Sequence, residues 1–163
     1  MIKKVLIYGG IAILAIAVLI QFIPYGHNHT NPAVVKEPTW DSPQTQALFQ
    51  RACADCHSNN TNWRWYTNIA PFSWLIQKDV DEGRQRLNFS ECGVPRPRPS
   101  RPFGGGGEGF GGEREGGGDL SEVILRGSMP PIQYTLIHPE ARLTTTEKQA
   151  LAQGLTNSPC RYK

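Results

Sequence analysis

The sequence predicts an all-α protein: a small helical domain behind an N-terminal transmembrane helix, interrupted by a disordered Gly/Pro-rich insertion. Three observations predict this. An apolar run opens the chain, apolar residues further on recur at helical steps behind capping residues, and no convincing strand appears. Of the 163 residues, two stretches cannot join a globular core: the apolar start and the run from Cys92 to Gly118. Roughly ninety residues remain, a size that buries only about 60% of its unfolded surface and gains from a bound group. The formal net charge of +3 is mild, and much of it sits in Lys3, Lys4, Arg96, Arg98 and Arg101. No basic stripe follows a helix, so nucleic acid is not a predicted partner.

Met1 to Lys4 is a short basic start, followed by mostly apolar residues from Val5 to Ile23. As a helix this run rises about 28 Å, close to the hydrocarbon thickness of a bilayer. A cleaved signal peptide is the competing reading, but Gln21-Phe22-Ile23-Pro24-Tyr25 offers no small-residue cleavage site. Residues 1–23 therefore read as an uncleaved, single-pass anchor. Lys3 and Lys4 keep the N-terminus cytoplasmic, which puts the rest outside the cytoplasmic membrane, on its periplasmic or extracellular side.

Residues 24–39, with His27, His29, Pro32 and Pro38, read as a linker, and residues 40–158 as the folded domain. Asp41-Ser42-Pro43 opens a helix that runs through Ala47, Leu48 and Phe49 to about Ala52. A second helix begins near Pro71, with Phe72, Leu75, Ile76, Val80, Gly83 and Leu87 predicted on one face. Glu82 and Arg86 can pair on its outer side. The insertion, residues 92–118, is too rich in Gly and Pro to bury apolar area against its chain entropy. Asp119 with Glu122 looks like a capping box for a short helix, Leu120 to Arg126, closed by Gly127. Ser128 to Leu143 holds three prolines and reads as a stiff loop; Thr144 with Glu147 then caps a last helix through Ala150, Leu151 and Leu155.

The chemistry lies in Cys53-Ala54-Asp55-Cys56-His57. Two thiols three positions apart can add across the two vinyl groups of one porphyrin, and the next residue offers an imidazole to the iron. Cys-x-x-Cys-His is therefore read as attachment of one covalent c-type haem. A redox dithiol would want a preceding strand and a βαβ context. Zinc would need a fourth ligand from Cys92, Cys160 or a distant His.

The surroundings resemble class I cytochromes c. Phe49 stands four residues before Cys53, Ser128-Met129-Pro130-Pro131 is similar to their distal-ligand loop, and Leu143 to Leu151 is similar to their C-terminal helix. More narrowly, Trp63 to Tyr66, Ala70 to Leu75, Asp79 to Arg84, Leu87 to Glu91 and Tyr134 to Pro139 resemble the bacterial membrane-anchored haem-binding domain family. Cys92 departs from the aromatic residue expected after the Asn-Phe-Ser-Glu block. The resemblance implies a small cytochrome c-like domain around one haem. Cys53 and Cys56 would hold the porphyrin, His57 and Met129 the iron. His138 is the alternative distal ligand. Met129 is preferred because a thioether suits an electron carrier and prolines stiffen its loop. Trp63, Trp65, Tyr66 and Trp74 are expected to line the haem pocket, with Arg84 or Arg86 near the propionates. Cys92 and Cys160 are left over and could pair in an oxidising compartment.

The expected function is single-electron transfer by a membrane-anchored monohaem cytochrome, with redox proteins as partners. Two alternatives are a haem-based redox or gas sensor and an electron-relay domain accessory to a haem peroxidase. No paired carboxylates or nucleophile–base arrangement marks an enzyme, and no small-molecule substrate is identified. One further expectation follows from aligning the first and last domain helices with those of class I cytochromes c. It sets Thr45 over Gly154 where the helices cross; otherwise Gly154 simply begins a fraying helix end.

Overall fold

The computed structural model describes residues 2–95, 118–158 and 160. The insertion expected to be disordered lies, from residue 96 to 117, outside the described residues. Every regular element among the described residues is helical; the nearest approach to a sheet is one isolated bridge between Lys36 and Glu91. Helix α1, Ile2–Leu19, continues as a 3-10 turn, Ile20–Phe22. An 18-residue window of this run has a mean hydropathy of 2.5, and none of its residues is buried. One N-terminal helix is thus long and apolar enough to cross a membrane, at about 30 Å.

The domain begins with α2, Pro43–Ala52, where Ser42 accepts a hydrogen bond from the Thr45 backbone N–H and Pro43 occupies the first turn. A short helix, α3 (Ala54–His57), carries the cysteine motif directly after it. Helix α4, Phe72–Arg86, departs from expectation. It buries Ser73, Gln77, Val80 and Gly83, while Phe72 and Leu75 are exposed. Of the predicted face, Val80 and Gly83 are covered together with the small and polar Ser73 and Gln77, which can approach the rest of the chain closely, while its Phe72 and Leu75 end stays open. The expected pair on its outer side forms, with Arg86 3.9 Å from Glu82.

Helix α5, Gly118–Leu125, ends where Gly127 takes φ +76° and the N–H groups of Gly127 and Ser128 reach back to Ile124 and Val123. The segment read as a stiff loop contains a further helix, α6 (Ile132–Ile137), and a 3-10 turn, Pro139–Ala141. Its prolines stand just before or at the first position of these elements, where a missing N–H costs no helical bond. Helix α7, Thr145–Asn157, opens on the expected reciprocal capping box of Thr144 and Glu147.

One apolar core joins α2, α5 and α7 through Leu48, Phe49, Phe89, Ile124, Leu151, Ala152 and Leu155. Phe49 sits 4.4 Å from Phe89 and 5.1 Å from Trp40, ring to ring. Cys92 and Cys160 pair in a disulfide that closes 68 residues of chain around the insertion. In the chain-entropy account such a loop is worth about 4 kcal/mol. Thr45 and Gly154 are both buried and meet at the α2–α7 crossing; a Cβ on Gly154 would run into Cβ, Oγ1 and Cγ2 of Thr45.

Helix propensity alone predicts that Gly154→Ala stabilises by about 1 kcal/mol. The close contact predicts the reverse, a loss of about 1–3 kcal/mol from overpacking. Thermal unfolding is expected to show a lower Tm for Gly154→Ala, a still lower one for Gly154→Leu, and partial rescue of the alanine variant by Thr45→Gly.

Glu147 adds a pH dependence. The Thr144 backbone N–H and then the Arg51 guanidinium, 2.5 Å away, lower its pKa from 4.5 to about 2. A depressed carboxylate stabilises the fold above its unfolded pKa and loses that contribution as pH falls through the folded one. The Tm difference between the native chain and Glu147→Gln should therefore be largest above pH 4.5 and shrink as pH approaches about 2.

Candidate functional site

Where α2 ends, the Cys53 N–H donates to the Phe49 carbonyl at 2.8 Å, so the motif starts directly from a helix that buries Thr45, Leu48, Phe49 and Ala52. The turn is backed by α4. Gly83 lies so close that a Cβ there would come within 2.5 Å of the Cys56 carbonyl oxygen. Only a residue without a side chain allows that approach.

His57 is held from both ends by the segment after α4. Its Nδ1 lies 2.9 Å from the Leu87 carbonyl, and its own carbonyl accepts from the Phe89 N–H at 2.8 Å. A carbonyl can only accept, so Nδ1 carries the proton and Nε2 keeps its lone pair. This is the backing that metal-binding imidazoles receive elsewhere. Burial lowers the pKa of His57 against the opposing pull of its backbone hydrogen bonds, which favours the neutral, ligating form.

A buried polar clasp keeps that segment in place. Asn88 donates to Asn59 Oδ1 at 2.7 Å and accepts from the Ser90 N–H at 2.9 Å, while Ser90 Oγ accepts from the Asn59 N–H at 2.9 Å. Asn88 and Ser90 stand in the Leu87–Glu91 block that carries the family resemblance, but nothing in the sequence assigned them this positioning role. The signal that could have found them is a run of small polar residues directly after His57, matched by a second run beyond α4.

Cys53, Cys56, His57 and Met129 line one cleft of about 140 Å³, together with Asp79, Gly83 and Arg86 of α4 and Pro130, Pro131 and Tyr134. The exposed Phe72 and Leu75 continue the α4 stripe along this side. On α6, the exposed Ile132 and Leu136 flank the lining residue Gln133. Apolar walls left open beside two thiols and an imidazole fit a flat apolar cofactor. A larger cavity, about 350 Å³, lies behind the motif and is lined by Trp40, Arg51, Arg64 and Glu140 among others. None of the four predicted site residues lines it, so the smaller cleft is the candidate site.

The competing readings of the motif fare poorly. Burial pushes both thiols up to about 12, with Cys56 adding to the effect on Cys53 and Asp79 and Asp55 to that on Cys56. Redox dithiols and zinc thiolates need the opposite shift. Cys92 and Cys160 are spent in a disulfide, and among the described residues no three His, Cys, Asp or Glu side chains converge on a metal position.

His138 is buried away from the cleft lining. Its Nε2 lies 2.5 Å from the Tyr66 hydroxyl and its Nδ1 3.1 Å from Glu140 Oε1, so both nitrogens are engaged. Tyr134 stacks on it with ring centres 4.2 Å apart and donates to Asp55 Oδ2 at 2.7 Å. That bond ties the helix after the Met129 loop to the middle of the cysteine motif.

The aromatic residues expected around the cofactor are elsewhere. Trp63 stacks on His29, Trp65 is exposed, Tyr66 serves His138, and Trp74 is half-buried on α4 with its indole nitrogen covered; none lines the cleft. Arg84 is also drawn away, donating to the Ser58 and Thr30 carbonyls and to Asn31, which leaves Arg86 as the arginine at the cleft.

A wholly helical domain with this motif and these open apolar walls defines a haem-binding class of protein. Residues 15–101 and 111–157 match the haem-binding domain family, and the chain belongs to that family. No curated protein and no solved structure matches it.

Proposed function

We propose that this chain is a membrane-anchored monohaem c-type cytochrome that passes single electrons outside the cytoplasmic membrane. The observation that carries the reading is the convergence of Cys53, Cys56, His57 and Met129 on one cleft. The two cysteines would hold the porphyrin through thioether bonds, His57 Nε2 would bind the iron, and Met129 would complete its coordination. When bound, haem supplies the one-electron couple. The protein's own part is to keep geometry constant through a change of charge. The Leu87 carbonyl fixes the imidazole, the Tyr134–Asp55 bond ties the Met129 loop to the motif, and the exposed apolar walls would cover the cofactor faces once it is bound. Met129 is favoured over His138 as distal ligand because His138 would first have to give up Tyr66 and Glu140. The basic residues Lys3 and Lys4 support a cytoplasmic N-terminus and an outward domain, where redox proteins are the expected partners.

Haem should remain with the polypeptide through denaturing electrophoresis, and Cys53→Ser combined with Cys56→Ser should abolish this. Loss of haem from the native chain under the same conditions would refute covalent attachment.

The distal ligand is tested optically. Met129→Ala is expected to remove the near-infrared sulfur-to-iron absorption of the oxidised protein and to lower its potential, while His138→Ala does neither. The reverse pattern would assign His138. A native distal ligand that carbon monoxide readily displaces would favour the sensor reading instead.

A further inference from the structure

The segment expected to be a linker is part of the fold. Val35 and Lys36 both donate to the Ser90 carbonyl, at 2.9 and 3.0 Å, and the Cys92 N–H donates to the Lys36 carbonyl at 2.9 Å. Asn59 donates to the Ala33 carbonyl and Asn31 to the Thr61 carbonyl, each at 2.9 Å. Further back, His29 Nε2 lies 3.1 Å from the Thr67 carbonyl, and its ring stacks on Trp63 at 4.5 Å. A Cβ on Gly26 would come within 2.7 Å of the Ser73 carbonyl carbon, so the chain there lies directly against the start of α4.

The attachment reaches the apolar helix itself. Gln21, in its last turn, donates to the Ala70 carbonyl at 3.1 Å and accepts from the Ala70 N–H at 3.0 Å. The turn Trp65–Asn68 and the following Ile69 are thus bracketed, His29 holding Thr67 and Gln21 holding Ala70. A domain joined by a free linker would sample many distances from the bilayer; this one has no slack. Yet Trp65 is 76% exposed, Ile69 41% and Tyr25 49%.

We propose that the turn Trp65–Ile69, with Tyr25, is a membrane-contact surface that holds the haem-binding domain against the bilayer entered by its own N-terminal helix. The occupant follows from continuity. The residues next to Gln21 leave the apolar helix at the level where lipid headgroups begin, and Gln21 holds the turn at that level. Trp and Tyr, with an apolar body and a polar tip, are the side chains that gather there. The proposal rests on α1 spanning the membrane.

The test uses the full haem-loaded chain in lipid nanodiscs, carrying one nitroxide label at Ile69→Cys, Trp65→Cys, Ile11→Cys or Gln153→Cys. Collision with oxygen, which concentrates in lipid, is compared with collision of a water-soluble nickel complex. The haem absorption spectrum checks that each variant is folded. The oxygen-to-nickel ratio is expected to be highest at Ile11, within α1, lowest at Gln153 on α7, and several-fold above Gln153 at both Ile69 and Trp65. Values at Ile69 or Trp65 equal to those at Gln153, with Ile11 still in lipid, would overturn the contact surface while leaving the span intact. Ile11 reading as water-exposed would remove the span and the proposal together.

Discussion

The crossing of α2 over α7 governs the rest of the molecule. Thr45 rests where Gly154 has no side chain, so the two helices come close enough for Leu48 and Phe49 to interlock with Leu151 and Leu155. One carboxylate then links both helices. Glu147 caps its own helix through Thr144 and accepts from Arg51 on α2 at 2.5 Å. Cys53 follows directly from this frame, because its N–H completes the last turn of α2. A motif that must present two thiols and an imidazole in one orientation begins from a helix held in the apolar core.

The domain divides its interactions by side. Around the crossing they are apolar, together with a disulfide that shortens the unfolded chain. Behind His57 they are polar: Leu87, Phe89, Asn59, Asn88 and Ser90 form a closed set of hydrogen bonds in which buried groups find partners. Such a set is directional where an apolar contact is not, and it suits a ring that must keep one nitrogen free. The third side is left open. Phe72, Leu75, Ile132 and Leu136 remain exposed beside the cleft, so a domain of this size meets its bound group with apolar surface that the chain itself does not cover.

The docked segment between the apolar helix and the domain changes how the parts relate. Its backbone and side chains bond to Ser90, Thr61, Thr67 and Ala70 rather than to water. The family match runs unbroken from residue 15 through this segment into the cysteine motif. The apolar helix and the segment after it are therefore joined to the haem-binding domain by hydrogen bonds as well as by the chain.

What the sequence determined by itself was local. Ser42 and Pro43, Thr144 and Glu147, and Gly127 act within one turn of chain, so the starts of α2 and α7 and the end of α5 were legible without a partner. The cysteine motif was legible for the same reason: its three chemical groups lie within five residues. Tertiary structure alone decided which faces are covered. Periodicity marked an apolar stripe on α4 but could not say that Ser73 and Gln77 would be buried while Phe72 and Leu75 stayed exposed. It likewise could not show that Trp63 would turn to His29, that Cys92 and Cys160 would meet, or that residues 24–39 would be strapped down. Each of these depends on contacts between residues far apart in the chain, whose strength depends on distance and burial that no local pattern encodes.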